Sequence, residues 1–359
     1  MRILIDVGHP GHVHLFKNMI FNLRSEHEVI VTAKPKESTV NLLEAYGIPY
    51  HTVSNFQSDL FKKAVNFPLK MARLYRFCKK FKPDILIGVH DMYIAQLGKL
   101  IRKPSIIFTD TEEAKFADAI TFPFADVICT PECYMKDIGG GKHVRYNGYH
   151  ELAYLHPNYF KAEKTVLDEL DISKNDRLIV VRLISLDAYH DVDLKGINKK
   201  NELAFIRALE DYGRVFISSG KPLGRELEGY VLRLPPEKFH SVLAFADLCI
   251  GDGGTTAVEA ALLGTPAIHI EADAGGRATG ETSGNFMELR DRYSLLYFYP
   301  DEERALATAR EILENKKSKT EWVRKRELLL RDKIDVTAWM TGFIGGFPGS
   351  FYDRPGKGI

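Results

Sequence analysis

The stretch IGDGGTTAVEAALLGTPAIHI, residues 250–270, contains the clearest indication of the fold. An apolar strand pattern ends in the loop GDGG at 251–254, a helix is predicted to begin near Thr255 or Thr256, and a second strand follows at 266–270. This order is typical of a βαβ unit in a parallel sheet. The helix N-terminus behind the loop offers free N–H groups and a positive dipole, which suit a diphosphate.

The same alternation of strands and helices extends in both directions. Short β-branched runs predict strands over residues 2–7, 28–32, 84–89, 105–108, 126–129, 143–146, 178–183, 214–218, 247–250 and 266–270. Amphipathic segments predict helices over residues 12–24, 36–46, 60–81, 91–101, 201–211, 237–245, 256–263, 301–315 and 319–332. We therefore predict an α/β protein with doubly wound parallel sheets.

The pattern breaks in a segment from Asn147 that has little strand character. We therefore predict an N-terminal domain over 1–155 and a C-terminal domain over 156–332. The remaining residues, 333–359, include an apolar run whose exposure to water would be unfavourable. We expect this tail to dock on a folded core.

The composition is that of a globular protein and argues against several functional classes. The 359 residues are 45% apolar and 27% charged, and the net charge of +1 gives no basic field for nucleic acid. No run of about 18 apolar residues predicts a membrane-spanning helix, and polar residues interrupt any signal peptide at the N-terminus. The four cysteines are scattered and predict reduced thiols. We expect a cytoplasmic protein.

Glu259 has two interpretations. Thr256-x-x-Glu259 matches a capping box, in which the glutamate caps its own helix. A carboxylate one turn into such a helix can also accept both hydroxyl groups of a ribose. The residues themselves leave both roles open.

Candidate acid–base residues follow the strands predicted in the first half. His12, in the loop GHPGH after the first strand, is a candidate general base, or it caps the first helix or bonds the backbone of the turn. Asp91 follows the strand 84–89 at its carboxyl end and is either a catalytic carboxyl or a helix N-cap. Asp110 and Glu113 are the best functional candidates in the acidic segment FTDTEEAKFAD, where a threonine-capped helix with acidic first-turn residues is the alternative.

The 250–270 unit resembles the nucleotide-binding segment of GT-B glycosyltransferases and of UDP-N-acetylglucosamine 2-epimerases. The resemblance implies that Glu259 binds the ribose and that Gly253, Gly254 and Thr255 face the diphosphate. Arg182 and Ser185 lie where GT-B proteins hold the donor phosphates, and Ser219 follows the next strand, although Arg182 could instead form a structural ion pair.

The opening loop GHPGHVHLF resembles the GGTGGH turn of the glycosyltransferases that form lipid II. There the loop faces the donor phosphates and the acceptor, which implies such roles for Gly11 and His12. His9-Pro10 replaces Gly-Thr and stiffens the turn. Asp91 corresponds to a catalytic aspartate of the 2-epimerases.

The whole chain is similar to domain-of-unknown-function family 354, whose name carries no reaction. The matching segments are DVGHPGHVHLFKN, FTDTEEAKFADAITFPFADVICTPECY, NGYHELAYLHPNYF and GDGGTTAVEAALLGTPAI. This resemblance implies a GT-B-like fold, in which two Rossmann-like domains face a central cleft. It also implies that the C-terminal tail, residues 333–359, crosses back onto the N-terminal domain.

The resemblances imply a nucleotide-sugar-dependent glycosyltransferase with a UDP-sugar donor and a glycan or lipid-linked acceptor. No metal or other cofactor is expected, and the oligomeric state stays open. A 2-epimerase-like enzyme and a non-catalytic nucleotide- or glycan-binding protein are the alternatives. A basic and aromatic face is a candidate for peripheral membrane contact, with a solvated helix face as its alternative. That face consists of Phe61, Lys62, Lys63, Phe67, Lys70, Arg73 and Leu74.

Overall fold

The chain divides into two compact units, each built on one parallel sheet. The computed structural model describes residues 1–34, 37–53, 60–173, 176–184, 194–220 and 222–353, without the side chains of 37 and 60–66. The first unit is Met1–Tyr159 together with the C-terminal segment from Ile334, and the second is Phe160–Lys333. Their sheets have seven and five strands among the described residues, which confirms the predicted fold class.

The first unit's sheet has the strand order β3-β2-β1-β4-β5-β6-β7. The strands are β1 (Arg2–Val7), β2 (Glu28–Ala33), β3 (Tyr50–Thr52), β4 (Ile85–Val89), β5 (Ser105–Phe108), β6 (Val127–Pro131) and β7 (His143–Tyr146). The order reverses between β1 and β4, so the loops after these two strands diverge. Such a reversal leaves a crevice outside the carboxyl ends of the strands, where open α/β sheets bind ligands.

Among the described residues, five helices connect these strands and a sixth follows the last strand. They are α1 (Pro10–Leu23), α2 (Glu37–Ala45), α3 (Leu60–Phe81), α4 (Met92–Ile101), α5 (Lys115–Thr121) and α6 (Leu152–Leu155). The His9 ring caps α1 by accepting the Gly11 N–H, and Pro10 occupies the first helical position, where its missing N–H costs nothing. Phe16, Met19 and Ile20 are fully buried, so the predicted apolar stripe of this helix is part of the core.

The second unit repeats the architecture, with the strand order β12-β11-β10-β8-β9. Its strands are β8 (Leu178–Leu183), β9 (Arg214–Ser219), β10 (Leu248–Gly251), β11 (Ala267–Ile270) and β12 (Leu296–Tyr299). Its helices are α7 (Thr165–Glu169), α8 (Glu202–Glu210), α9 (Phe239–Phe245), α10 (Gly254–Leu263), α11 (Gly284–Asp291), α12 (Glu302–Glu314) and α13 (Ser318–Asp332). Here the strand order reverses between β8 and β10.

The apolar tail forms two further helices, α14 (Val336–Gly345) and α15 (Gly349–Tyr352). Helix α14 packs on α1 and α6 of the first unit. Met340 is fully buried, and the Thr337 hydroxyl donates to the Ala153 carbonyl at 2.6 Å. Among the residues that the structure describes, no helix combines the length and the apolar character needed to cross a bilayer.

Candidate functional site

Two groups of polar side chains lie at the two points of strand-order reversal. In the first unit Asp6 near the end of β1, His12 in the first turn of α1 and Asp91 after β4 lie at the carboxyl edge of the sheet. In the second unit Arg182 of β8 lies beside the glycine loop that follows β10. Both groups therefore occupy the position where a doubly wound sheet holds a ligand.

Asp6 is a charged residue inside the apolar strand β1, and it is completely buried. The Thr32 hydroxyl donates to Asp6 Oδ1 at 2.6 Å, and Lys70 Nζ lies 3.4 Å from Asp6 Oδ2. Burial would raise the pKa of Asp6, but the Lys70 charge and hydrogen bonds from Asp91 and Thr32 lower it to about 2. Asp6 is therefore a permanent anion near neutral pH.

Asp91 caps α4 and also reaches Asp6. Its Oδ1 accepts the N–H groups of Tyr93 and Ile94 at 2.8 and 3.2 Å, which confirms the helix cap. The side chain folds over Gly88, where an added Cβ would lie 2.8 Å from the Asp91 Cβ. Burial and the neighbouring Asp6 charge raise the pKa of Asp91 to about 7. A carboxyl group with this pKa can gain and lose a proton near neutral pH.

His12 is held in one tautomer by the backbone. The Gly8 N–H donates to His12 Nδ1 at 3.2 Å, so the proton of the neutral ring must sit on Nε2. Burial, with the His9 ring beside it, lowers the pKa of His12 to about 3. Near neutral pH His12 is therefore a neutral donor through Nε2, and this geometry opposes the predicted base role. The helix is capped by His9, whose ring also occupies the Gly11 N–H predicted to face phosphates.

The acidic segment after β5 does not begin a helix. Helix α5 starts at Lys115, and its N-cap Ala114 makes no side-chain cap, so the predicted threonine-capped helix is wrong. Asp110 pairs with His150 at 3.2 Å, and despite burial this contact lowers the pKa of Asp110. Glu113 is exposed, whereas Glu112 turns inward and accepts the Met135 N–H at 3.2 Å.

A second histidine–carboxylate pair lies at the end of β4. His90 Nε2 is 2.9 Å from Asp118, which Lys136 also contacts at 2.6 Å. Thr109 lies 3.2 Å from the other ring nitrogen of His90. Burial lowers the pKa of His90 despite the nearby Asp118 charge. This edge of the sheet thus holds several polar groups beyond Asp91.

Glu259 pairs with His240 and does not cap its own helix. Helix α10 begins at Gly254 with Gly253 as N-cap and no side-chain cap, so the capping-box interpretation is wrong. Instead Glu259 Oε1 lies 2.9 Å from His240 Nε2, and both side chains are buried. His240, on α9, thereby fixes the orientation of the carboxylate.

Arg182 explains two of the loop glycines. At Gly251, whose φ is +150°, an added Cβ would lie 2.0 Å from the Arg182 carbonyl oxygen. At Gly253 it would lie 2.4 Å from Arg182 Cγ, whereas at Gly254 it would meet only ordinary contacts, the closest at 3.6 Å from Phe286. Gly251 and Gly253 thus make room for Arg182 itself. The resemblance had implied that Gly253 faces a diphosphate.

The Arg182 side chain has a hydrogen-bond partner for only part of its guanidinium group among the described residues. Arg182 donates from Nη1 to the Ser218 hydroxyl at 2.8 Å, while its Nε has no hydrogen-bond partner among the described residues. Burial lowers the pKa of Arg182, and the charges of Glu259 and Asp252 oppose this shift. Asp252 itself accepts the Ile184 N–H at 2.7 Å, which ties the loop after β8 to the glycine loop.

The remaining predicted residues are placed less centrally. Thr255 is exposed in the first turn of α10, Ser219 is the last residue of β9, and Ser185 lies outside the described residues. Lys70 and Leu74 are buried in the first unit, so these two positions fit neither the candidate membrane face nor its solvated alternative. The side chains of Phe61, Lys62 and Lys63 lie outside the description.

Sequence reasoning missed Asp6, Lys70 and His240 as site residues. A carboxylate inside the apolar run RILIDV was a readable signal, because a buried charge needs a partner. Nothing in the sequence pairs Lys70 with Asp6 or His240 with Glu259, since each pair joins distant segments.

Known proteins resemble this chain in sequence and in fold. It is 25% identical over 279 residues to an uncharacterized protein of Methanocaldococcus jannaschii, covering 74% of this chain and 80% of that protein. The fold is similar to that of a candidate UDP-N-acetylglucosamine 2-epimerase from Listeria monocytogenes, with a TM-score of 0.72, 13% identity, and coverage of 99% of this chain and 97% of that one.

A second solved structure with a similar fold is the spinosyn rhamnosyltransferase SpnG with spinosyn aglycone. Its TM-score is 0.60 at 13% identity, and the match covers 95% of this chain and 99% of that one. These likenesses show a fold shared with GT-B glycosyltransferases and UDP-N-acetylglucosamine 2-epimerases. Residues 1–328 match the family described as protein of unknown function (DUF354), and the chain therefore belongs to the DUF354 family.

Proposed function

We propose that this protein binds a nucleoside diphosphate sugar, with UDP as the favoured nucleotide, and transfers the sugar to a glycan or lipid-linked acceptor. The observation that carries the proposal is the arrangement around Glu259. His240 orients this buried carboxylate beside Arg182, at the reversal point of the second sheet. The similar folds of a rhamnosyltransferase and of a candidate UDP-N-acetylglucosamine 2-epimerase support the substrate class.

In the second unit each group would contact one part of the nucleotide. The Glu259 carboxylate would accept hydrogen bonds from the ribose hydroxyls. Arg182, whose buried Nε lacks a partner among the described residues, would bind the diphosphate through its planar guanidinium group. The N–H groups of Gly254 and Thr255, in the first turn of α10, lack partners within the helix and would donate to the same anion.

In the first unit Asp91 would serve as the base. As the acceptor oxygen bonds to the anomeric carbon, the bond from that carbon to the diphosphate oxygen breaks. The acceptor proton passes to Asp91, whose pKa of about 7 lets it take the proton near neutral pH. His12 would donate from Nε2 to negative charge that develops on a departing oxygen.

A second candidate is isomerisation of the sugar on its nucleotide. The specific observation that favours it is the Asp6–Asp91 pair, because a carboxyl group poised near neutrality can remove the proton from one face of a sugar carbon. Inversion then requires a second group to return a proton on the opposite face. The Listeria monocytogenes structure, a candidate 2-epimerase, points the same way. In this case no acceptor is needed.

Calorimetry with a panel of nucleotides and nucleotide sugars tests the binding half of the proposal. We expect one diphosphate-dependent ligand to bind the wild type and to bind Glu259→Gln about tenfold or more weakly, because the ribose loses a charged acceptor. Glu303→Gln, at an exposed position of the same unit, is the control and should bind like the wild type. Absence of any ligand for the folded protein would overturn the nucleotide-sugar proposal.

Mass spectrometry and NMR of the products, with the ligand so identified, separate the alternatives. A sugar attached to a new acceptor supports transfer, and an inverted sugar still on its nucleotide supports isomerisation. If the protein binds the ligand but forms no product with acceptor lipids or glycans at matched concentrations, both enzymatic proposals are contradicted. The protein would then be a nucleotide- or glycan-binding protein without catalytic activity.

A further inference from the structure

We propose that Lys70 and Asp6 are positioning residues that act on the reaction through Asp91. Lys70 keeps Asp6 ionised, and the Asp6 charge sets the pH at which Asp91 becomes a base. The inference rests on the proposed function of Asp91 and adds two residues to it. Neither Asp6 nor Lys70 needs to touch the substrate.

The sheet register brings the two carboxyl groups together. Asp6 on β1 pairs with Gly88 on β4, and Asp91 follows three residues later. Because Gly88 has no side chain, the Asp91 side chain can fold back over it, 2.8 Å from where a Cβ would stand. This placement brings the Asp91 carboxyl group close enough to Asp6 for the two titrations to influence each other. A side chain at position 88 would clash with Asp91 in this position.

Lys70 is the cation that compensates this buried pair. Its side chain is 5% exposed, its Nζ lies 3.4 Å from Asp6 Oδ2, and it sits 3.9 Å from the centroid of the Tyr93 ring. Removing a lysine from water costs several kcal/mol unless charge and hydrogen bonds compensate it. The position of Lys70 is therefore explained by the Asp6 carboxylate that it contacts.

The charges around the pair determine how many protons it holds. Asp6 and Asp91 together would carry two negative charges against the one positive charge of Lys70. The state with Asp6 ionised and Asp91 protonated is neutral, which agrees with a pKa of about 2 for Asp6 and about 7 for Asp91. Lys34 also favours the ionised forms. Further titratable groups near the cluster are Tyr93, His12 and Cys78.

Two substitutions should move the titration of Asp91 in opposite directions. Lys70→Met removes the stabilising cation, so Asp91 should lose its proton at higher pH. Asp6→Asn removes the repelling anion, so Asp91 should lose its proton at lower pH. Each shift is expected to be about one pH unit or more. Lys79→Met, at an exposed position of the same helix, is the control and should cause no shift.

Infrared spectroscopy measures this titration without any substrate. The C=O band of the protonated carboxyl group is followed as pH rises through about 7 and is assigned by its loss in Asp91→Asn. The pH at which kcat/KM reaches half of its plateau should move with the band in each variant. A merely structural network would change stability and leave the titration in place.

Opposite shifts of the band in the two variants support the inference, and an unchanged or parallel response overturns it. If either single variant fails to fold, the double variant Asp6→Asn with Lys70→Met removes both charges at once and avoids an uncompensated one. Its Asp91 band should then titrate below the wild-type pH, because the repelling anion is gone. The infrared result decides the inference even if the product experiments overturn the proposed function.

Discussion

The surroundings of Asp91 and His12 reverse the roles that these two residue types usually have in proton transfer. At neutral pH an ordinary aspartate is fully ionised and an ordinary histidine is close to its titration point. Here burial and Asp6 raise the pKa of Asp91 to about 7, while burial and His9 lower that of His12 to about 3. The aspartate thus becomes the group that exchanges a proton, and the histidine becomes a fixed donor.

His12→Gln and His12→Ala should separate a donor from a base. Glutamine can donate a hydrogen bond but cannot accept a proton near neutral pH, so His12→Gln should keep kcat within about tenfold of the wild type. His12→Ala should lose about a hundredfold or more, as expected when a donor to developing negative charge is removed. The measurement is steady-state kinetics on the identified substrate. Equal, severe losses in both variants would restore the base role.

At the level of the element, the turn between β10 and α10 is built around an arginine. Gly253 is the N-cap of α10 and has an ordinary φ of −90°, so backbone strain does not explain the glycine. The explanation is Arg182 Cγ, which would lie 2.4 Å from a Cβ at this position. The glycine loop therefore packs directly against the neighbouring strand β8.

Gly253→Ala and Gly254→Ala are a matched pair that tests this explanation. Gly253→Ala should lower the free energy of unfolding of the second unit by about 1–3 kcal/mol, because a methyl group is forced against Arg182. Gly254→Ala, one residue later, meets only ordinary contacts and should leave stability unchanged or slightly higher in the helix. Urea denaturation of both variants gives the comparison. Equal stability of the two would contradict the steric argument.

At the level of the whole molecule, half-buried titratable groups link stability to pH. The folded state holds a proton on Asp91 up to about pH 7, whereas an unfolded aspartate releases it near 3.8. This contribution is fully present at low pH and is lost as pH rises through the folded pKa. His12 acts in the opposite sense, because its folded pKa lies below the ordinary 6.5 and its contribution is lost as pH falls.

Comparison of the wild type with Asp91→Asn isolates the Asp91 contribution. Asparagine keeps the helix cap but cannot titrate. The stability advantage of the wild type over Asp91→Asn should fall by up to about 1.4 kcal/mol per pH unit between about pH 4 and about pH 7. Hydrogen exchange of buried β1 amides, corrected for the chemical exchange rate, reports this in the full chain. A difference that does not change with pH would contradict the raised pKa.

Most elements of the fold could be predicted from the sequence, because they follow local periodicity. The predicted strands 2–7, 105–108, 143–146 and 178–183 agree residue for residue with β1, β5, β7 and β8. The strands β3 and β12 were missed. Strand β3 has only three residues, and two of them are exposed, so its pattern is too short and too polar to be recognised.

The sequence was sufficient for the α/β class, the glycine loop after β10, and Asp91 and Glu259 as candidate residues, since each of these depends on neighbours in the chain. The partners of those residues come from the tertiary structure. Asp6 contacts Lys70 across 64 residues, and Glu259 contacts His240 across 19. A buried charge takes whichever partner the packed sheet places next to it, and this placement depends on strand order and register. The chemistry of Asp91, which follows from Asp6 and burial, was therefore decided only when the chain folded.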